Sequence, residues 1–276
     1  MLPGLREPDI DMDDALQYTA FIDLMGFADG QEALADEDAH RLACVMSGEW
    51  LLHPELSNAA KTLYVRYSRF HEWFDETTRE VSEDLTLRVS FSDSGFIAAS
   101  NRGPILRIAA QIIQKCYNGR IPIRIGIGRG TVGRATFSST FASGRLSAQS
   151  QFFGTGIVRS YRAQSCEAKG FRVFLHSSAE MPKDEEQAWL LPRLDKDEKA
   201  AGCVRELNFM YRGERGNDHD WLYLNRALDD MRDGVTSHKA LLHYDASARA
   251  LKRFEDLLLM QFGADGTILI VDPLPR

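Results

Sequence analysis

Between residues 85 and 127 a hairpin, an amphipathic helix and a strand follow one another almost without a gap, and few folds accommodate that order. Leu87, Val89 and Phe91 alternate with Arg88, Ser90 and Ser92, the period of a half-buried strand. Ser92-Asp93-Ser94-Gly95 supplies turn chemistry, and Phe96-Ile97-Ala98-Ala99 returns as a partner strand, so an aspartate is expected at the hairpin tip. Ile105, Ile108, Ala109, Ile112, Ile113 and Cys116 then fall at i, i+3, i+4, i+7, i+8 and i+11. That spacing predicts a helix, with Pro104 near its start and Gly119 past its end. Ile121 to Ile127 follows as a strand that runs into GIGRGTVGRATF.

The flanking segments extend the pattern. Tyr18 to Leu24 reads as a buried strand carrying one carboxylate, Asp23, and Met25 to Gly30 as a turn. Gln31 to Leu52 is expected as one helix, and a second begins at a capping Asn58 and reaches about Val81. Gly154 to Lys169 reads as a helix stopped by Gly170, and FRVFLH as a strand. The expected core order is β-α-α-β-β-α-β-β-α-β, an α+β arrangement with helices against a mixed sheet. Beyond about residue 184 the pattern loosens. Cys203 to Phe209, Trp221 to Leu224 and Gly266 to Val271 read as short strands, and Ser237 to Phe262 as a long helix. The expected division is a catalytic domain over 1–184 and a C-terminal α/β extension over 185–276, packed on the core or on a dimer.

Composition narrows the function classes. The 276 residues are 44% apolar and 26% charged, enough for a substantial core. A net charge of −7 shows no basic surplus of the kind a nucleic-acid binder carries. No run approaches the ~20 apolar residues of a bilayer span, and the amino terminus lacks the basic start and apolar stretch of a signal peptide, so a cytoplasmic location without membrane contact is expected. Four scattered cysteines, Cys44, Cys116, Cys166 and Cys203, lack ligand-pair spacing and read as free thiols.

Taken alone, Asp23 reads as a cap for its turn and Asp93 as an ordinary turn residue. Together, one at a strand end and one on a neighbouring hairpin, they can converge on divalent cations of the kind phosphoryl chemistry requires.

Four segments, FIDLMGF, SFSDSGFIAAS, IPIRIGIGRGTVG and FFGTGIVRSYRAQSCEAKGFRVFLHSSA, resemble the class III nucleotidyl cyclases, in that family's order across roughly residues 16–180. The resemblance implies a ferredoxin-like core working as a head-to-tail homodimer with composite active sites. It implies two Mg²⁺ or Mn²⁺ ions held by Asp23, Asp93 and the Leu24 carbonyl, and phosphates cradled by the amides of Met25, Gly26 and Phe27. Arg162 takes the place of the transition-state arginine given by the partner subunit and alone reads as a solvated helix residue; Arg159, one turn earlier, is a second phosphate contact.

Three positions depart from a purine cyclase. Val89 stands where a base-reading lysine is expected, Thr155 where an aspartate accepts from adenine, and Val158 where an asparagine assists the arginine. A valine neither donates nor accepts. FIDLMGF and VSFSDSGF also resemble the pyrimidine cyclases of bacterial Pycsar anti-phage defence. That resemblance implies UTP as substrate, cyclic UMP as product and a separate effector protein that responds to it. Cytidylate cyclase is an alternative, since a threonine hydroxyl serves either base. A purine cyclase with unusual contacts and an inactive nucleotide-sensing homologue are the others.

Overall fold

The computed structural model describes residues 9–48, 55–140, 146–179, 181, 203–210, 220–233 and 235–261. Its elements, in chain order, begin with strand β1 (Asp9–Leu24), helices α1 (Phe27–Glu32), α2 (Asp36–Met46) and α3 (Asn58–Arg79), and the hairpin β2 (Leu87–Phe91) and β3 (Ser94–Ala99). Helix α4 (Arg102–Asn118), strands β4 (Ile123–Thr140) and β5 (Leu146–Phe153), α5 (Thr155–Gln164) and β6 (Val173–His176) follow. Strand β7 (Cys203–Glu206) and helices α6 (Asp220–Arg232) and α7 (His238–Gln261) complete the described chain.

The sheet runs β2-β3-β1-β4-β6-β7. Each of its first four strands is antiparallel to its neighbour, and two helical crossovers join them, β1 to β2 through α3 and β3 to β4 through α4. That is a ferredoxin-like core, and the fold is α+β as expected. Strand β4 is long enough to have two partners along its second edge. Ile125 to Ile127 pairs with β6 in parallel, and Gly133 to Thr140 pairs with β5.

Alternation separates the two faces. Ala20, Ile22 and Leu24 of β1 and Ile123, Ile125 and Ile127 of β4 join the main apolar cluster with the isoleucines of α4. The cluster continues through Leu207, Phe209, Leu224, Leu228, Tyr244, Leu251 and Phe254, so described residues beyond 185 share the core of the sheet. The other face of β1 and β4 carries Thr19, Asp23, Gly126 and Gly128 beneath α5.

Several local expectations change. The helix expected over Gln31–Leu52 is broken after Glu32, and a new helix starts at Asp36 with Asp36, Glu37 and Asp38 in its first turn. Three acids there favour a helix start over a helix interior; residues 49–54 lie outside the described chain. Ser57, one residue before Asn58, caps α3, its Oγ accepting the Ala60 N–H at 3.2 Å. Helix α5 ends at Gln164 well before Gly170, because the Cys166 carbonyl turns to take Nη2 of Arg124 at 2.7 Å.

Trp221 to Leu224 is helical. Leu224, Ala227, Leu228 and Met231 recur at helical spacing, a period that a four-residue window cannot show. The strand expected at Gly266 to Val271 lies outside the described residues. Of the cysteines described, Cys44, Cys116 and Cys166 are free. Among the described residues no helix is long and apolar enough to cross a membrane.

Candidate functional site

Asp23 is the last polar residue of β1, and Asp93 closes the two-residue turn between β2 and β3. Because β1 pairs with β3 in the register Asp23 to Ser94, the turn lands beside the end of β1. The Leu24 N–H donates to the Asp93 carbonyl at 2.8 Å, which ties the two together. Ser92 enters this turn at φ 48°, a left-handed conformation that non-glycine residues rarely adopt.

Four neighbours surround the Asp23 carboxylate. Ser94 Oγ donates to Oδ1 at 2.8 Å and Gln164 Nε2 to Oδ2 at 2.9 Å. Arg124, its cross-strand partner on β4, and Asp93 act through charge. Burial raises the Asp23 pKa above the ordinary carboxylate value and the Asp93 charge adds to that, while Ser94, Arg124 and Gln164 oppose it. Asp93 also lifts the Tyr67 hydroxyl, after burial, and partly offsets the burial that lowers His71. Asp93 therefore shares its electrostatic environment with Asp23 on one side and with Tyr67 and His71 of α3 on the other.

Two hard carboxylates with an adjacent backbone carbonyl, at Leu24, suit Mg²⁺ or Mn²⁺ better than a soft metal. A carboxylate whose proton affinity is raised by burial and by a like charge is one whose neighbourhood a cation would relieve. Among the described residues no group of three or more His, Cys, Asp or Glu side chains stands together, so further ligands have to come from backbone, water or substrate.

The turn after β1 corrects one expectation. The Met25 N–H donates to the Pro122 carbonyl at 2.8 Å, because the β1–β4 ladder runs one residue past Leu24. Met25 is thus committed to the sheet, and of the three amides expected to cradle phosphate only those of Gly26 and Phe27 lie at the start of α1. Gly26 sits at φ 73°, open to solvent, and Phe27 is buried and stacked on Tyr67 with ring centroids 5.2 Å apart.

Helix α5 carries the remaining predicted residues along β1. Its start is tied to Thr19, whose Oγ1 donates to the Gly156 carbonyl at 2.8 Å, and its end reaches Asp23 through Gln164. Four steps along the strand separate those anchors, about 13 Å. Thr155 therefore stands at the end away from Asp23 of its own chain. It is interlocked with Thr131: Thr155 Oγ1 accepts the Thr131 N–H at 3.0 Å, and Thr131 Oγ1 accepts the Thr155 N–H at 3.1 Å. Arg159 turns to the Arg129 carbonyl at 2.8 Å. Arg162 is exposed, and its charge and that of Arg159 reinforce the burial that lowers the His176 pKa. Val158 is exposed, and Val89 is half-buried on β2 opposite Phe96.

Sequence reading missed Ser94, Arg124, Gln164 and His71. Ser94 was within reach as the neighbour of Asp93. Arg124 and Gln164 needed the β1–β4 register and the path of α5, which no local pattern displays.

The fold and site together define an α+β protein with a ferredoxin-like core and a carboxylate pair at the end of its central strand. No protein-family model matches the sequence and no curated protein matches it. Solved structures similar to it include a bacterial light-regulated adenylyl cyclase, at 11% identity over 82% of this chain and 59% of that one, with TM-score 0.44. An adenylate cyclase of Trypanosoma brucei in its monomeric state matches at 11% identity over 71% of this chain and 89% of that one, with TM-score 0.42. A second T. brucei adenylate cyclase matches at 13% identity over 73% and 93%, with TM-score 0.41. This chain spans 59% of the length of the first of these.

Proposed function

We propose that this protein is a pyrimidine nucleotide cyclase that converts UTP to 3′,5′-cyclic UMP and pyrophosphate. The convergence of Asp23 and Asp93 at the end of β1, joined by the Leu24–Asp93 hydrogen bond, carries the reading. Two divalent cations held by Asp23, Asp93 and the Leu24 carbonyl would neutralise the triphosphate and lower the pKa of the ribose 3′-hydroxyl. The 3′-hydroxyl would give its proton to water as its oxygen bonds to the α-phosphorus, the bond from that phosphorus to the bridging oxygen would break, and pyrophosphate would leave.

The chain's own groups orient that reaction. Ser94 and Gln164 aim the Asp23 carboxylate, and Arg124 balances its charge. Gly26 and Phe27 offer amides to phosphate oxygens. Thr155 and Arg159 lie away from Asp23 of the same chain, and Arg162 is exposed. Those positions favour a homodimer in which α5 of one copy completes the site of the other. The aromatic face next to α5, with Phe91 and Tyr161 both about half exposed, is where a second copy would cover apolar surface. Arg162 then meets charge developing on the phosphates.

Uracil is preferred over cytosine on the resemblance of FIDLMGF and VSFSDSGF to uridylate cyclases alone. The Thr155 hydroxyl, which accepts the Thr131 amide and lies 3.3 Å from the Thr131 hydroxyl, can donate or accept and serves either base. The product would act on a separate effector protein, in the manner of an anti-phage second messenger.

Incubating the protein with each nucleoside triphosphate and Mn²⁺ tests this directly. Cyclic UMP and pyrophosphate are expected from UTP; no cyclic product from any of the four sinks the reading, and ATP or CTP preference moves it to another base. Mixing Asp23→Ala and Arg162→Ala variants, each inactive alone, is expected to restore partial turnover through mixed dimers. Absence of restoration in demonstrably mixed dimers rules out the composite site.

A further inference from the structure

We propose that His71 is a positioning residue, locking the Ser92–Asp93 turn in the shape that presents Asp93 beside Asp23 to a divalent cation. The inference rests on the reading of that carboxylate pair as a cation site.

The turn joins β2 to β3 with only two residues outside the ladder, Ser92 and Asp93. A serine at φ 48° costs roughly 1 kcal/mol or more and persists only where the surroundings hold it there. Two contacts hold this one. From the sheet side, the Leu24 N–H takes the Asp93 carbonyl at 2.8 Å. From the helix side, Nε2 of His71 lies 2.7 Å from the Ser92 carbonyl. A carbonyl only accepts, so the imidazole must carry its proton on Nε2 and donate. The turn is gripped at consecutive carbonyls from opposite sides, and Asp93 leaves from between the grips.

The imidazole is itself braced. Its ring packs on Tyr67 at 4.4 Å and on Phe70 at 5.1 Å, one helical turn and one residue earlier on α3. Tyr67 also stacks on Phe27, the first residue after the turn that follows Asp23. One face of α3 thus supports both turns, the one leaving β1 and the one carrying Asp93. Partners that orient a metal-binding carboxylate without touching the metal typically change metal affinity by about 10- to 100-fold when removed.

Mn²⁺ titration of the full chain, with free Mn²⁺ read by its electron paramagnetic resonance signal, tests this without substrate. His71→Phe keeps an aromatic ring and loses the donor; its Mn²⁺ affinity should fall by about 10- to 100-fold. His71→Gln restores a donor and should recover most of that loss. Ser92→Gly relaxes the left-handed requirement, so adding it to His71→Phe should also recover affinity. Should His71→Phe not fold, His71→Met, apolar and unbranched, takes its place. Wild-type affinity in the donor-less variant overturns the proposal, as does a glutamine variant that folds and recovers nothing. Mn²⁺ binding lost in Asp93→Ala but kept in the donor-less His71 variant isolates that failure from the site. Wild-type protein that does not bind Mn²⁺, or Asp93→Ala that binds it equally well, overturns the carboxylate-pair reading itself.

Discussion

Asp23 combines two properties that conflict in the absence of a cation: it is half-buried, and the charge of a second carboxylate, Asp93, acts on it. Replacing it with asparagine removes the charge and keeps the shape; Ser94 can still donate to the amide oxygen, and Gln164 can turn its own side-chain oxygen to accept from the new NH2. Asp23→Asn is therefore expected to leave the metal-free melting temperature unchanged or higher while abolishing cyclic nucleotide formation. Asp93→Ala should likewise abolish turnover in a folded protein. Retained turnover in either variant would falsify the metal assignment. His243 gives a different residue-scale prediction. Its Nδ1 accepts the Gly170 N–H at 3.1 Å, and burial, aided by Arg124, Lys169 and Lys239, lowers its pKa from 6.5 to about 4. The folded state prefers the neutral ring, so its contribution is complete above pH 6.5 and declines as pH falls from 6.5 towards 4. Thermal melts across that window should show a shallower acid decline in His243→Gln than in wild type. His71 and His176 shift in the same direction, so the difference between the two proteins isolates His243.

At the scale of elements, the glycines of β4 explain how α5 reaches Asp23. A methyl group on Gly126 would fall on the Ser160 carbonyl oxygen and the Gln164 nitrogen, and one on Gly128 would meet the Ser160 nitrogen at 2.7 Å. Helix α5 therefore lies almost on the strand, close enough for Gln164 to hold Asp23. Gly126→Ala should destabilise the protein by about 1–3 kcal/mol in urea denaturation and lower Mn²⁺ affinity by displacing Gln164. The run GIGRG was visible in the sequence, but its purpose was not. Glycines at alternate positions of a strand mark close backbone approach only once the approaching helix is known.

For the molecule as a whole, described residues beyond 185 are joined to the core by charge as well as by apolar burial. Arg172 and Glu206 are both fully buried, with Nε to Oε1 at 2.7 Å and Nη2 to Oε2 at 2.6 Å. Arg253 of α7 reaches the same Oε2 at 2.6 Å, and the Arg172 guanidinium lies over Phe174 at 5.0 Å. One carboxylate of β7 thus links the residue that precedes β6 to α7. Glu206→Ala leaves a buried arginine without its counter-charge and should cost about 3–5 kcal/mol in equilibrium unfolding. A loss under about 1 kcal/mol would show that the arginine finds water or another partner.

Hydrophobic periodicity and turn chemistry determined the core: the hairpin with Asp93 at its tip, α4 with Pro104 in its first turn and Gly119 past its end, and Asp23 in an apolar strand were all legible, because each is a local pattern. Short or interrupted segments were not. Trp221 read as strand because its window was too small to show a helical period, and the break between α1 and α2 depended on three acids preferring a helix start. Tertiary structure decided everything that joins distant residues. Register put Ser94 and Arg124 against Asp23, the approach of α5 added Gln164, the extra ladder bond withdrew the Met25 amide, and packing of α3 brought His71 to the Asp93 turn. Those pairings span tens of residues or more, and a chain read one window at a time carries no record of which of its faces will meet.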